Sequence, residues 1–449
     1  MEQVKKQYTK YTYPKYDKYM DKFAPIPNQC CSNLFLEQIN HYIYSGLKTN
    51  FDGFKILVVG VGLGTDIINM GVFLKKYKNI KLLGIDVSPT ALNICRERIT
   101  TYNIDCIELV EMSLLDLNPM VHGKFDMIIC IGVLHHLENP SDGLNALVNV
   151  LEDDGVMNIM VYGKYGRTGV YQMQELMKKI NSDIDINDYE TKINNFKNIH
   201  TQLTQNNWFR LSEHLISDHT ISDEGVVDMI LHCQDRAYSI PELYCWINNS
   251  HLNIIDFSPD TRYKYNYNIN NVKYPNDIVE KHSINELFFG DIIKHMFYVS
   301  KNTNTKATID NLDNILILVL VTKEWLNNVL HKCKPKKGCL SVLFNCFCRH
   351  VTNLNVTGTL MYKLDDEYIW YLSEDEFINF NIEMNNIIYT ILNNIDNEKS
   401  IKEIFNIVRK ELNINVDNNC LLQMFKPVYE KFELYDMILL RGHPPKIEP

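Results

Sequence analysis

Between residues 55 and 161 the chain alternates short apolar runs with segments whose apolar residues recur at helical spacing. Residues 56–59 (Ile-Leu-Val-Val) have no polar residue among them, as a parallel strand buried on both faces requires. Residues 81–85, 125–131 and 155–161 are also mostly apolar, with one polar residue each, Lys81, Asp126 and Asn158. The spacing predicts helices over residues 90–99, introduced by the cap Ser88 and Pro89, and over 140–151, with Leu144, Leu147, Val148 and Leu151 inward. Strand and helix in turn predict a parallel sheet with helices on both faces. An earlier helix over 32–44, with Leu34, Phe35, Ile39 and Ile43 on one stripe, would pack beside that sheet. Residues 172–235 read as a helical, polar insertion anchored by Leu176, Ile180, Trp208 and Leu211. A helix at 239–249 then leads to a sixth strand at 254–257, and a seventh, antiparallel, follows at 294–300.

Past the polar linker at 302–306 lies a second pattern. Ile387, Ile388, Ile391 and Leu392, then Ile401, Ile404, Ile407 and Val408, sit at helical spacing. A third helix over 421–432 runs into a strand at 437–440, which suggests an α+β, winged-helix-like module. The expected division is 1–50 as an N-terminal lid and helix segment, 51–301 as the main domain with its insertion at about 172–235, and 307–449 as the C-terminal module.

The chemistry centres on the turn after the first strand. Gly60, Gly62 and Gly64 follow Val59 at alternate positions and lead into a helix. Such a turn bends tightly and exposes bare backbone and helix N–H groups to a ligand. The second strand ends on Asp86, within the roughly 20-residue interval at which nucleotide folds place a ribose-binding acid. With these features the chain resembles the class I S-adenosylmethionine-dependent methyltransferases. Further blocks are similar to that family in order and spacing: Val110-Glu111-Met112-Ser113-Leu114-Leu115-Asp116-Leu117, then residues 125–137 ending in Val-Leu-His-His-Leu, then 155–161. Two positions depart from its pattern, Val58 and Ser113 standing where acids are usual.

The resemblance implies a Rossmann-like seven-stranded methyltransferase sheet, S-adenosyl-L-methionine as cofactor, and transfer of a methyl group to an N or O acceptor. It implies that Gly60, Gly62 and Gly64 face the methionine part and the sugar, that Asp86 holds the ribose, and that Ser113, Leu114 and Ile131 border the nucleoside. His135 and His136 would lie at the cleft mouth, and His135 is the candidate base. Tyr162, Arg167 and Tyr171, in a loop with Gly163, Gly166 and Gly169, are the next acceptor candidates, and that loop reads as mobile. The stretch Tyr13-Pro14-Lys15-Tyr16, similar to one in uncharacterised bacterial relatives, reads either as a lid over the cleft or as a loosely ordered lead-in.

Composition narrows the acceptor without naming it. The formal charge of -10 argues against a protein that grips nucleic acid over its whole surface. A protein side chain or a small molecule is favoured as acceptor, transfer RNA is a third option, and Val58 and Ser113 keep open a non-catalytic cofactor-binding scaffold or sensor. The C-terminal module is suited to pairing two protomers or holding a protein substrate. The longest apolar run, 315–321, is shorter than the roughly 20 residues a membrane span needs. Twelve cysteines without a secretory pattern read as reduced thiols of a cytoplasmic protein. His331, Cys333, Cys339, Cys346, Cys348 and His350 lack a C-x-x-C pair, and 340–347 reads as a strand in which a cysteine serves as a small apolar residue, so no metal is assigned.

Overall fold

The computed structural model describes residues 2–15, 33–257, 261–264, 273, 275–303, 305–319, 323–332, 362–364, 367–369, 385–434 and 436–442. The chain forms two compact units, Met1–Ile26 with Asp52–Asn302, and Pro27–Phe51 with Thr303–Pro449.

Helix α1 (Glu2–Lys10) opens the first unit, burying Val4 and Gln7, while α2 (Asn33–Ile43) belongs to the second. Strand β1 (Lys55–Val59) and helix α3 (Thr65–Leu74) flank the glycine turn. Then come β2 (Lys81–Asp86), α4 (Pro89–Thr101), β3 (Ile107–Glu111), α5 (Pro119–His122), β4 (Phe125–Ile131), α6 (Pro140–Asn149) and β5 (Leu151–Gly163). These five strands are parallel in the order β3-β2-β1-β4-β5, so the tips of β1 and β4 stand side by side where the winding reverses. Ligands of open α/β sheets bind beyond that point. Ile56, Leu57, Val58 and Val59 are each 3% exposed or less, which accounts for the unbroken apolar run.

Capping sets the helix starts. Ser88 Oγ accepts the N–H of Ala91 at 3.3 Å and Asn139 Oδ1 accepts that of Ser141 at 3.2 Å. Replacing such a cap by alanine costs about 1 kcal/mol. Helix α6 stops at Asn149 rather than at Leu151, because Leu151 has already entered the sheet opposite Phe125.

The insertion contains α7 (Thr168–Ile180), α8 (Tyr189–Gln202), α9 (Trp208–Ser212), α10 (Asp218–Ile221) and α11 (Asp223–Met229). Val170, Met173, Met177, Phe196, Phe209 and Val226 form a core of its own. Trp208 and Leu211, expected as anchors, are exposed; Phe209 between them is buried instead. The chain returns through β6 (Ala237–Tyr238), α12 (Ile240–Asn249), β7 (Asn253–Asp256), α13 (Ile278–Phe289) and β8 (Lys294–Ser300). Strand β8 lies antiparallel between β5 and β7, completing the seven expected strands, and β6 adds a two-residue pairing to β5.

In the second unit β9 (Ile315–Leu318) leads to α14 (Lys323–Lys332), and β10 (Tyr362–Leu364) pairs with β11 (Glu367–Ile369). Helices α15 (Asn386–Asn393), α16 (Ile401–Leu412) and α17 (Asn418–Leu434) precede β12 (Ile438–Arg441), which is antiparallel to β9. Leu326, Ile391, Ile404, Phe405, Phe425 and Ile438 form the core of this unit. Helix α2 packs here, not beside the parallel sheet. Its Gln38 and Tyr42 both donate to Asp436, at 2.8 and 2.5 Å, and His41 Nε2 meets Glu433 at 3.0 Å. An apolar stripe tells which face is buried but not against what; the polar partners decide it. His331 is exposed at the end of α14, whereas Cys333, Cys339, Cys346, Cys348 and His350 fall outside the described residues.

Candidate functional site

Gly60, Gly62 and Gly64 have φ of +68°, +52° and +85°. A side chain in that region costs roughly 1–2 kcal/mol. Their surroundings nonetheless differ. A Cβ on Gly60 would stand 2.3 Å from Cγ2 of Val133, and one on Gly64 would stand 2.3 Å from Sγ of Cys95, so these two are needed for packing. A Cβ on Gly62 would meet nothing nearer than the carbonyl oxygen of Tyr13, at 3.8 Å. Gly62 alone of the three presents an open backbone face. Its N–H donates to Asp86 Oδ2 at 2.8 Å, while the N–H of Ser88 donates to Oδ1 at 2.8 Å. Burial pushes the Asp86 carboxyl above the usual range, and these backbone donors pull the other way. Each carboxylate oxygen keeps a further lone pair that can accept a hydroxyl. Space at Gly62 and a carboxylate at the tip of β2 suit a nucleoside with a sugar diol.

The residues expected to border a nucleoside are placed unequally. Ile131 ends β4 and is partly exposed. Ser113 Oγ accepts the N–H of Leu115 at 3.2 Å, capping the short turn Leu114–Asp116. Leu114 sends its side chain into the core, where it is 3% exposed, which leaves only its backbone to meet a ligand.

Beyond β4 and β5 lies a chamber of buried polar groups. His135 is fully buried, its ring 4.0 Å from that of Tyr162 and 4.1 Å from that of His136. Neither ring nitrogen of His135 has a hydrogen-bond partner among the described residues. Burial holds its pKa well below the ordinary histidine value, with His136 and Arg167 adding to the effect, so it is neutral. The guanidinium carbon of Arg167 lies 3.6 Å over the Tyr162 ring, and its Nη2 is 3.9 Å from Asp235. Arg167 is buried, and its Nε and Nη2 lack hydrogen-bond partners among the described residues. Its loop, expected to be mobile, is packed: a Cβ on Gly163 or Gly166 would stand 2.3 Å from Ile292 backbone. Those glycines permit close approach, not motion. Tyr171 donates to Asp235 at 3.3 Å, joining the same group.

Four residues here escaped the sequence reading. Asp228 and His232 come from α11 and the segment after it, and each is 4% exposed. Tyr8, on α1, donates its hydroxyl to Asp228 Oδ1 at 2.7 Å and lies 3.2 Å from His232 Nε2. Gln7 accepts the N–H of Cys233 at 3.1 Å and the Tyr189 hydroxyl at 3.3 Å. Burial raises the Asp228 carboxyl to about 7, opposed by the Tyr8 hydroxyl and by Arg167. The visible signal was Val226-Val227-Asp228-Met229-Ile230-Leu231-His232, two polar residues in an otherwise apolar run. A buried carboxylate is costly unless it has partners or a task.

Donor atoms of His136, Asp228 and His232 lie within 4.8 Å of one another, as do those of His135, His136 and Asp235, and of His200, Glu213 and His219. In the first group both His232 nitrogens are already engaged, Nδ1 accepting the N–H of Gln234 at 3.0 Å. In the second group the Arg167 guanidinium, 3.9 Å from Asp235, already supplies that carboxylate with a counter-charge. In the third group Glu213 is already shared by His200, His219 and Arg210.

Residues 57–157 match the family model described as a methyltransferase domain. This chain carries a methyltransferase domain. Over 212 residues it is 32% identical to an uncharacterized protein of Synechococcus sp., spanning 47% of this chain and 50% of that one. Over 79 residues it is 38% identical to an uncharacterized protein of Rickettsia prowazekii, spanning 18% of this chain and 30% of that one. The chain thus spans half or less of the length of these curated relatives. Among solved structures, PKMT2 from Rickettsia typhi in complex with AdoHcy superposes with a TM-score of 0.58 at 17% identity, covering 92% of this chain and 76% of that one. At that identity the likeness is one of fold. The matched segment ends at residue 157, inside β5, so α1, the insertion and the second unit lie outside it. No helix of the described residues is long and apolar enough to cross a membrane.

Proposed function

We propose that the chain transfers a methyl group from S-adenosylmethionine to a nitrogen of a protein side chain. One observation carries the choice of acceptor: the chamber beside the glycine turn holds two buried carboxylates, Asp228 and Asp235, among the rings of Tyr8, Tyr162 and Tyr171. Carboxylates and ring faces favour a cationic, amine-bearing acceptor over a phosphate or a free carboxylate.

When bound, the methyl donor supplies a carbon made electrophilic by its sulfonium. The chain's own residues have separate tasks. Gly62 leaves room for the nucleoside, and Asp86 accepts its ribose hydroxyls. Ser113 and Ile131 border the base, and Gly60 and Gly64 keep the turn in shape. Asp228 attracts the acceptor ammonium and takes up its proton, which frees the nitrogen lone pair for attack. His135, neutral in its buried place, lines the chamber and offers one nitrogen as donor and the other as acceptor. Arg167 offsets the charge of Asp235, so that Asp228 and Asp235 are not two uncompensated anions side by side. The tyrosines wall off water and hold the acceptor in line. The overall charge of -10 and the carboxylate lining speak against transfer RNA. The second unit is then the part that would hold a protein substrate or a second copy of the chain.

Incubating the protein with methyl-labelled donor and cell extract, followed by acid hydrolysis, tests this reading. Label on a side-chain amine supports it, and Asp86→Ala should lose that label. Label in RNA or in small molecules would replace the acceptor. Label nowhere, with the donor still bound, would make the chain a cofactor-binding scaffold.

A further inference from the structure

We infer that Tyr8 and His232 are positioning residues which hold a fixed hydrogen-bond donor on one oxygen of Asp228, favouring its charged form and leaving its second oxygen for the acceptor, so that helix α1 completes the catalytic chamber. This rests on the reading of the chamber as the acceptor site.

The argument follows hydrogens along a chain of four groups. The backbone N–H of Gln234 donates to His232 Nδ1 at 3.0 Å. An imidazole that accepts at Nδ1 and is neutral must carry its proton on Nε2. Burial lowers the His232 pKa well below the ordinary value, with His136 adding to it, so the neutral form holds. The Nε2–H faces the Tyr8 hydroxyl at 3.2 Å. The Tyr8 oxygen therefore accepts from His232, and its own hydrogen is free only for Asp228 Oδ1, at 2.7 Å. Every donor in the chain points one way, toward the carboxylate. No proton can return from Asp228 to His232, because Nε2 is already occupied. The chain is thus no relay. It is a fixed donor that favours the charged carboxylate. Oδ2 has no hydrogen-bond donor among the described residues.

The other charges facing Asp228 act in both directions. Arg167 favours its ionised form, whereas Asp218 and Asp235 oppose it. Tyr162 stands in the same field, and Tyr13 is tied to Asp218. His136 donates Nδ1–H to the carbonyl of Gln234 at 2.9 Å and stacks on His232 with ring centres 3.9 Å apart, holding the imidazole in plane. Helix α1 is held from other sides as well, through Gln7, through Ser88 Oγ on the Tyr8 carbonyl at 3.3 Å, and through the Lys5–Glu111 ion pair. Loss of one hydroxyl therefore leaves the helix docked.

The test uses the full chain and two readouts. The first is the pH profile of methyl transfer to an amine acceptor. Tyr8→Phe should shift its acidic limb upward by about one pH unit, a tenfold loss below the limb and little loss above it. His232→Leu should shift it the same way, and His232→Gln, which keeps a donor at the place of Nε2, should restore the wild-type limb. Lys5→Ala should leave the profile unchanged. The second readout needs no activity: the unfolding-midpoint difference made by Asp228→Asn, followed against pH. Its transition should move upward in combination with Tyr8→Phe. A lower rate with both transitions unmoved would overturn the inference and leave α1 a plain scaffold. A moved stability transition, in a protein that methylates no amine, would keep the donor chain and sink the acceptor reading instead.

Discussion

Gly62 and Asp86, 24 positions apart, are joined by a single hydrogen bond of 2.8 Å from the glycine N–H to the carboxylate. The bond ties the open backbone face to the acid proposed to hold the ribose, so the two should fail together. Asp86→Ala should weaken S-adenosylhomocysteine binding at least tenfold, in keeping with about 1.5–3 kcal/mol for a hydrogen bond to a charged group. Calorimetry on wild type and variant measures it; equal affinities would remove Asp86 from the site.

The three glycines should separate in a stability assay. Gly62→Ala has space but the wrong φ, so it should cost about 1–2 kcal/mol of stability and most of the cofactor affinity. Gly64→Ala meets Cys95 Sγ at 2.3 Å as well and should be the more destabilising of the two. Thermal unfolding of both, beside calorimetry, shows whether space or binding is lost.

Asp228 should make the protein less stable as pH rises. Its carboxyl is raised from 3.8 to about 7 in the folded chain. The stability linked to its protonated form is full below pH 3.8 and is lost as pH climbs through 7. Asp228→Asn does not titrate, so its midpoint should exceed that of wild type at pH 8 and match it near pH 4. At roughly 1.4 kcal/mol for each pH unit, the gain is bounded by about 4 kcal/mol. A variant less stable than wild type at pH 8 would show that the carboxylate is held by partners stronger than Tyr8.

Glu433 should behave in the opposite sense. Despite burial, bonds from His41 and Lys306 lower its carboxyl from 4.5 to about 2. That stability is present above pH 4.5 and is lost as pH falls through 2. Glu433→Gln should therefore destabilise the second unit by up to about 3 kcal/mol at pH 7, and by much less near pH 2. Fluorescence-detected unfolding at both pH values reads it out.

The sheet was legible because each of its buried strands is an apolar run closed by a turn, from Ile56 to the antiparallel strand ending at Ser300. The glycine turn and Asp86 were legible because their spacing is local. The chamber was legible only in part. His135 and Arg167 follow strand ends and Tyr162 lies next to the last residue of β5, positions the sequence singles out. Asp228 is buried by an insertion whose packing no period predicts, and Tyr8 reaches it across 220 positions. The glycines at 163 and 166 misled, since a residue without Cβ serves close packing against Ile292 as readily as motion.

Helix α2 has a consequence for the order in which the chain takes shape. It leaves the ribosome before the sheet does, yet Gln38 and Tyr42 donate to Asp436, 398 and 394 positions later. Until then the helix must wait with its apolar stripe uncovered while the whole sheet forms behind it. A ribosome halted near residue 302 would release a nascent chain whose sheet is complete but whose early helix has nowhere to go, a natural target for chaperones and proteases.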